Sequence, residues 1–226
     1  MTAREDSTVL HSFPIVPFQS GSPMMVVGPT NSGKTHWVRR LLSHQMFTQP
    51  VKSVLYCYGV DQRAYEQMRA DSLSAEKIQF HQGLPDRKKL EDMVDGNFHV
   101  VVLDDMMEDI VKSKDMQQLF TKYCHHFNIS AIFISQNIFH QGPLARTISL
   151  NSHVIVLFAN KRDESQIKIL ARQIYPNRWK RFIDVYEKSM NHEYSYLVID
   201  CTPSHPREIK VRTNIFPSET TYTFDI

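Results

Sequence analysis

Glycine is scarce in this chain, with only 7 glycines among 226 residues. An excess of charge of one sign is also missing, because 26 Lys and Arg stand against 24 Asp and Glu. Any nucleic-acid site must therefore be local and not a generally basic surface. The other proportions, 42 % hydrophobic and 22 % charged, exclude collagen, low-complexity linker and intrinsic disorder as the main state. A chain of this length favours a single domain with one sizeable core.

Cysteine and long apolar runs are also nearly absent. Cys57, Cys124 and Cys201 lie far apart and no CxxC pair occurs, which argues against a disulfide framework or a zinc ribbon and favours a reducing compartment. The first residues contain acids and no apolar segment, so we expect no signal peptide. No apolar run approaches the ~20 residues of a membrane helix. We therefore expect an intracellular protein with no membrane partner.

Short apolar runs alternate along the chain with longer amphipathic stretches. The runs predicted to be strands are residues 24–27, 54–58, 78–81, 100–103, 132–135 and 154–158. The stretches predicted to be helices are residues 34–42, 62–70, 86–94, 106–127, 163–174 and 178–188. Several strand runs are continuously β-branched, as in strands buried on both faces of a parallel sheet. The alternation predicts an α/β fold with a doubly wound, mostly parallel sheet.

The C-terminal part of the chain departs from this alternation. Two strand-like runs, 194–199 and 209–212, follow each other without a helix and predict a small antiparallel β extension. The last ten residues are polar and rich in Thr, and we expect them to form a tail. The expected division is an N-terminal arm (1–17), a main domain (18–190), and an extension with its tail (191–226) that belongs to the same single domain.

One motif stands out against the scarcity of glycine. The segment GPTNSGKT fits the phosphate-binding pattern GxxxxGK[ST] and consists of Gly28, Pro29, Thr30, Asn31, Ser32, Gly33, Lys34 and Thr35. Its glycines permit the dihedral angles that turn successive amides toward phosphate oxygens. Lys34 would neutralise the β- and γ-phosphates of a nucleotide such as ATP, and Thr35 would bind Mg²⁺. The predicted helix that follows adds the positive potential of its N-terminus.

Two carboxylates, Asp104 and Asp105, directly follow the apolar run 100–103. A buried strand that ends in an acid is typical of the Walker B motif, in which Asp104 would hold Mg²⁺. Asp105 is the candidate general base that polarises the attacking water. The alternative is that both acids cap the predicted helix beginning near Met106.

A rival motif lies at residues 160–163, where NKRD fits the NKxD pattern by which GTPases read guanine. A GTPase also needs a glycine in a DxxG motif after its magnesium-binding acid, and Met107 occupies that position. The paired carboxylates have no role in that scheme either. Asp163 is then predicted to be the N-cap of the next helix.

Gln136 directly follows the predicted strand 132–135. In ATPases with an added strand between the two Walker strands, a polar residue at this place contacts the γ-phosphate and the water. Ser135 and Asn137 compete with Gln136 for this role. The structural alternative is a strand-end side chain that binds turn amides.

Arg146 lies in the segment 141–151, between two predicted strands. An arginine there would reach the γ-phosphate of a neighbouring subunit, and such arginine fingers contribute roughly 10³–10⁵ in rate. A lone arginine is also an ordinary surface residue. Other candidates for the role are Arg39, Arg40 and Arg162.

Several segments taken together resemble a known family. They are GPTNSGKT, VVVLDD, ISQNIFHQGPLARTISLNSHVIVLFANKRDESQ and LARQIYP. They resemble the viral genome-packaging ATPases of the FtsK–HerA superfamily, in the versions carried by Polinton-type and poxvirus-like DNA viruses. The resemblance covers residues 18–176. It implies a P-loop NTPase fold of the ASCE type, and a ring-forming motor that hydrolyses ATP with Mg²⁺ and threads double-stranded DNA into a preformed capsid.

The resemblance also implies roles for single residues. Lys34 matches the Walker A lysine, Gln136 matches the polar strand-end residue, and Arg146 falls near the intersubunit arginine of the family. The Walker B acids match Asp104 and Asp105, although cellular members usually have Asp-Glu there. The implied partners are double-stranded DNA, further copies of the chain in a ring, and the capsid or portal vertex. The implied location is the infected host cell, in its nucleus or cytoplasm, or the virion.

Three matters stay open at the level of sequence. The stretch RWKRF at 178–182 fits DNA contact by basic and aromatic side chains, but it also fits an amphipathic helix with Trp179 and Phe182 facing the core. For stacking on the base, Phe13 and Phe18 are the candidates. A small-molecule or nucleoside kinase, a GTPase and a non-catalytic nucleotide-binding scaffold are the alternative functions.

Overall fold

One mixed β-sheet organises the computed structural model, which describes residues 11–12, 15–61, 63–70, 78–110, 112–139, 143–160, 164–206 and 210–226. Within these residues the strands are β1 (His11–Ser12), β2 (Met24–Val27), β3 (Ser53–Tyr58), β4 (Ile78–Gln82), β5 (His99–Asp104), β6 (Ile129–Ser135), β7 (Val154–Phe158), β8 (Tyr196–Asp200), β9 (Val211–Thr213) and β10 (Tyr222–Thr223). Their order in the sheet is β1-β10-β9-β8-β7-β2-β6-β5-β3-β4.

The direction of the strands divides the sheet into two parts. From β7 through β2, β6, β5 and β3 to β4 all strands run parallel, whereas β8, β9, β10 and β1 add an antiparallel extension. The predicted α/β class, the parallel sheet and the C-terminal β extension are thus confirmed. The strand β6 lies between β2 and β5, which separates the strand before the phosphate loop from the strand that ends in Asp104.

Helices connect the parallel strands. They are α1 (Lys34–Ser43), α2 (Arg63–Ala70), α3 (Arg87–Glu91), α4 (Met107–Ile110), α5 (Lys114–Gln118), α6 (Cys124–His126), α7 (Pro143–Asn151), α8 (Glu164–Ile174) and α9 (Trp179–Ser189). The single helix predicted at 106–127 is wrong, because α4, α5 and α6 replace it and a π-helical turn, Leu119–Tyr123, joins the last two. Ser113 causes the restart, since its backbone is extended and its side chain accepts a hydrogen bond from the amide of Met116. Among the described residues, no helix has the length and apolar character needed to cross a bilayer.

Both faces of the parallel sheet are buried, which explains the continuous apolar runs. On β2, Met25 and Val27 belong to one hydrophobic cluster, and Met24 and Val26 belong to the cluster on the opposite face. The same alternation places successive residues of β5 in the two clusters. Within the described residues, helices therefore cover the sheet on both sides.

The C-terminal residues do not form the expected tail. Tyr222 and Thr223 form β10, which pairs with both β9 and β1, and the side chains of Phe224 and Ile226 are buried in the core. Polar and apolar residues alternate here, so one side of the segment contributes to the core although its composition is polar. The tail prediction is wrong for this reason.

A buried ion pair joins the strands of the extension. The guanidinium of Arg212 on β9 lies 3.3 Å from the carboxylate of Asp200 on β8, and both side chains are almost completely buried. The same carboxylate contacts the imidazole of His205 at 2.8 Å, and the guanidinium lies 4.9 Å from the centre of the Phe18 ring. These contacts join β8 to β9 and to the segment that precedes β2, while backbone pairing joins β8 to β7.

Candidate active site

The phosphate loop connects β2 to α1 and takes conformations that few side chains allow. Asn31 has a φ of 62° and Gly33 a φ of 100°, both in the left-handed region. Gly33 directly precedes α1, and its carbonyl accepts a hydrogen bond from the amide of Trp37 at 2.9 Å. Left-handed residues among right-handed ones turn successive amides to one side, which creates a concave anion-binding surface.

Gly28 is required by space. A Cβ at this position would lie 2.6 Å from Cβ of Phe158 and 2.7 Å from the Ser32 hydroxyl, both far below a normal contact. The Gly28 amide donates to the carbonyl of Ser135 at 3.2 Å, so the loop starts in direct contact with the end of β6. The first glycine of the motif thus permits close packing between the loop and β7.

Lys34 lies under the loop at the start of α1. Its ammonium donates hydrogen bonds to the carbonyls of Gly28 and Pro29, both at 2.7 Å. Burial lowers the pKa of Lys34, and the negative charges of Asp104 and Asp105 oppose that shift. A half-buried cation held against the loop is placed to neutralise phosphate charge there.

Asp104 ends β5 with its side chain almost completely buried, at 3 % exposure. Its Oδ2 accepts hydrogen bonds from the hydroxyl of Thr35 at 3.4 Å, of Tyr56 at 2.7 Å and of Tyr65 at 2.9 Å. Burial raises the pKa of Asp104, while the two phenols act in the opposite direction. Thr35 and Asp104 bring a hydroxyl and a carboxylate oxygen together, which is the donor set that Mg²⁺ prefers.

Tyr56 and Tyr65 are parts of this site that no motif predicted. Tyr56 lies on β3, whose register places the neighbouring Tyr58 opposite Asp104, and Tyr65 lies on α2 with its ring 5.2 Å from that of Tyr56. Burial and the charge of Asp104 raise the pKa of both phenols, so both remain hydrogen-bond donors at neutral pH. Only the alignment of β3 with β5 brings them to the carboxylate, and nothing in the spacing of the residues indicates it.

Asp105 and Gln136 meet at the open side of the same cleft. The Gln136 amide nitrogen lies 3.4 and 3.2 Å from the two carboxylate oxygens of Asp105. Asp105 has a φ of 53°, a left-handed conformation that Asp tolerates better than most residues, and its amide donates to the carbonyl of Ile134 at 3.2 Å. Both side chains are exposed, so a water molecule or a phosphate has access to them.

The alternatives for these positions receive less support from the geometry. The hydroxyl of Ser135 donates to the carbonyl of Asn137 at 2.9 Å. Of the three polar candidates at the end of β6, only Gln136 lines the cleft within the described chain. Within the described residues, the carboxylates of Asp104 and Asp105 accept hydrogen bonds from hydroxyl and side-chain amide groups, not from backbone amides of α4.

These groups enclose one cleft of about 500 Å³ at the carboxyl ends of β2, β5 and β6. The residues that line it are Thr30, Asn31, Ser32, Gly33, Lys34, Thr35, His36, Asp104, Asp105, Ile134, Gln136 and Tyr194. The structure therefore brings the predicted phosphate loop, the two acids and Gln136 together around a single space.

Other predicted residues lie away from this cleft or outside the described part. Arg146 is exposed on α7 and does not line the cleft in the described structure. Asp163 and Arg162, like Phe13, are outside the described residues. Phe18 is fully buried against Trp37, so it has no free face for stacking on a base and that interpretation is wrong.

The segment 178–182 follows the core-facing interpretation. Phe182 is fully buried and its ring stacks on Tyr175 at 5.7 Å between centroids. Trp179 is partly buried, and the guanidinium of Arg172 lies 4.5 Å from its ring centre. The basic residues of this segment, Arg178, Lys180 and Arg181, remain exposed.

The fold and the cleft define a P-loop NTPase with an added strand between its two Walker strands. The chain belongs to the family described as Poxvirus A32 protein, whose profile matches residues 17–208. This membership confirms the resemblance to viral genome-packaging ATPases and extends it beyond residue 176, toward the C-terminus. No curated protein sequence matches the chain.

Solved structures show the same fold. B204, the DNA-packaging ATPase from Sulfolobus Turreted Icosahedral Virus, aligns with a TM-score of 0.54 and 12 % identity over 86 % of this chain and 97 % of that chain. The genome packaging NTPase B204 from Sulfolobus turreted icosahedral virus 2 aligns in complex with AMPPCP, with a TM-score of 0.54, and with ATP-gammaS, with a TM-score of 0.55. In both complexes the B204 chain is 13 % identical to this chain, and the alignment covers 85 % of this chain and 96 % of the B204 chain.

Asp104→Asn should make the protein more stable near neutral pH. Because burial raises the pKa of Asp104 above its value in the unfolded chain, the ionised carboxylate destabilises the fold, and this effect disappears below the unfolded-state pKa. We expect Tm to rise, by about 2–4 °C for each ~1 kcal/mol that the free energy of unfolding gains at this chain length.

Thermal unfolding with a chelator and without nucleotide measures this difference. The matched control is Asp105→Asn, which removes an exposed charge one residue away and should leave Tm unchanged. A lower Tm for Asp104→Asn would mean that the hydrogen bonds from Tyr56 and Tyr65 to the carboxylate outweigh the cost of burying it. The difference should also shrink as the pH falls.

Proposed function

We propose that this chain is a Mg²⁺-dependent ATPase that assembles into a ring and translocates double-stranded DNA, packaging a viral genome into a capsid. The observation that carries the proposal is the single cleft in which Lys34 and Thr35 of the phosphate loop meet Asp104, Asp105 and Gln136. Membership of the Poxvirus A32 protein family and the shared fold of the packaging ATPase B204 support the same function.

The phosphate loop would bind the triphosphate. Its amides and the Lys34 ammonium supply positive potential where the β- and γ-phosphates would lie. Thr35 and Asp104 would hold the magnesium ion through a hydroxyl and a carboxylate, with phosphate oxygens and water as the remaining ligands. When bound, Mg²⁺ neutralises the charge that develops on the phosphates during transfer.

Hydrolysis would take place at the open side of the cleft. The carboxylate of Asp105 would accept a proton from the attacking water, and the Gln136 amide, which already contacts that carboxylate, would orient the water. Positioning and charge neutralisation supply most of the catalysis in this type of reaction.

The geometry favours an ATPase over a GTPase. The added strand β6 places Gln136 beside Asp105, an arrangement that the GTPase scheme does not use, and Met107 stands where that scheme needs a glycine. The kinase and the non-catalytic scaffold would use the same phosphate loop. They differ from a motor in their response to DNA and in their assembly.

DNA and assembly partners follow from the family. The exposed basic residues at the start of α9 are candidates for phosphate contacts that do not depend on sequence. Further copies of the chain would form the ring, and the capsid or portal vertex would receive the DNA. The protein would act inside the infected cell, in the nucleus or the cytoplasm.

The proposal is tested by the ATPase rate with and without double-stranded DNA, combined with the mass of the protein in solution. We expect a multimer whose turnover rises with DNA. Lys34→Ala should reduce turnover to background in both conditions while circular dichroism shows an intact fold. A monomer that ignores DNA and phosphorylates a small molecule would favour the kinase, and nucleotide binding without turnover would favour the scaffold.

Asp105→Asn should bind ATP but hydrolyse it roughly 10²–10⁴ times more slowly, because the general base is lost. Asn also tolerates the left-handed conformation found at this position, so the variant removes the charge without new backbone strain. Single-turnover hydrolysis and ATP affinity should be measured on the same sample. Near-normal turnover would assign the base to another group.

Arg146→Ala should be inactive if this arginine acts on a neighbouring subunit, with a loss of roughly 10³–10⁵ in rate. Mixing it with Lys34→Ala subunits, which are inactive for a different reason, should then restore some hydrolysis. The rescue occurs where an intact phosphate loop of one subunit faces an intact arginine of the next. Absence of rescue at every mixing ratio would assign Arg146 a role within its own subunit.

A further inference from the structure

The phosphate cleft continues into a second hollow of about 510 Å³ between α1 and the residues that precede β8. This nucleoside hollow is lined by Gly33, His36, Trp37, Arg40, Tyr194 and Tyr196. Gly33, His36 and Tyr194 also line the phosphate cleft, so the two spaces are continuous. Its volume lies within the ~300–1,000 Å³ usual for small-molecule sites, and its walls are mainly aromatic.

The order of the strands determines which part of a nucleotide would enter this hollow. Asp105 and Gln136 follow β5 and β6, which lie on one side of β2, whereas the hollow lies toward β7 and β8 on the other side. A triphosphate whose terminal phosphate faces Asp105 therefore points its opposite end past Gly33 and His36. The ribose and the base are the part of the nucleotide that this end carries.

Tyr194 has features that packing within the chain does not explain. Its side chain is 65 % exposed although it is large and aromatic, and its φ of 62° is a conformation that bulky residues rarely adopt. The ring lies over the end of the phosphate loop, with Cδ1 only 3.1 Å from where a Cβ of Gly33 would be. The amide of Ser195 donates to the carbonyl of His192 at 3.3 Å, which closes the turn that presents the ring.

The charges around the hollow suit an uncharged aromatic ligand. Of the described residues that line the hollow, Arg40 is the one that carries a permanent charge. The guanidinium of Arg40 is paired with Glu219 and lies 4.0 Å from the centre of the Phe216 ring. Arg40 thus forms a fixed wall whose charge is already compensated.

We propose that the nucleoside hollow binds the base of the nucleotide and that Tyr194 stacks on that base. This inference rests on the proposed function, because it takes the phosphates to lie on the loop 28–35. It assigns a base-binding role to Tyr194, which the sequence pattern placed at the start of the predicted strand 194–199. It also replaces Phe18, whose ring is inaccessible, as the aromatic residue that contacts the base.

Calorimetric binding of Mg·ATP and of Mg·tripolyphosphate to the full chain separates the base from the phosphates. Tyr194→Ala should weaken ATP binding roughly 5- to 150-fold, which corresponds to the ~1–3 kcal/mol that stacking contributes per base. The affinity for tripolyphosphate should stay unchanged. Tyr194→Phe keeps the ring and should bind ATP like the wild type. The matched control is Ile169→Ala, an exposed apolar residue on α8, which should change neither affinity.

The outcomes distinguish this inference from the proposed function. If the wild type binds ATP and Tyr194→Ala binds it equally well, the base lies elsewhere and the inference is overturned. If Tyr194→Ala loses ATP and tripolyphosphate to the same extent, the ring supports the loop at Gly33 instead of the base, which also overturns it. If the wild type binds neither ligand, the proposed function itself fails.

Discussion

The buried carboxylate of Asp104, at the end of β5, determines how the elements around the cleft are arranged. An ionised group at that depth is costly unless donors surround it. Asp104 accepts hydrogen bonds from hydroxyl groups on three separate elements: the start of α1, β3 and α2. Because β6 separates β2 from β5, Thr35 has to reach across the end of β6. This requires close packing between the phosphate loop and β6, as in the hydrogen bond from the Gly28 amide to the Ser135 carbonyl. The register of the central strands and the shape of the loop thus both bring hydrogen-bond donors to the carboxylate of Asp104.

Periodicity and motif were sufficient for the central part of the fold. The strands β2 and β7 have the bounds that their apolar runs predict. β5 extends its run 100–103 by one residue at each end, and β6 begins three residues before its run 132–135. These runs are continuous because both faces of the sheet are covered, so an uninterrupted run of apolar residues is enough to identify each strand. The phosphate loop could be predicted equally well, because the fixed spacing of its motif is a local property of the chain.

Features that depend on long-range packing could not be predicted in this way. The phenols of Tyr56 and Tyr65 reach Asp104 only through strand alignment and the placement of α2. The interruption between α4 and α5 depends on one side chain, Ser113, that competes for a backbone amide. The C-terminal residues have a polar composition, yet Thr221, Thr223, Phe224 and Ile226 are all buried, and β10 pairs with two neighbours.

The tight contact at Gly28 links positions that are far apart in the sequence. A side chain added there would collide with Phe158 on β7 and with Ser32 inside the loop at the same time. The closest atom of Phe158 is its Cβ, which every residue except glycine carries, so a smaller side chain at position 158 would not relieve the collision. It would only open the packing of β7 against Tyr196, whose ring lies 5.9 Å from that of Phe158. In related sequences glycine is therefore expected at position 28 whichever residue occupies position 158.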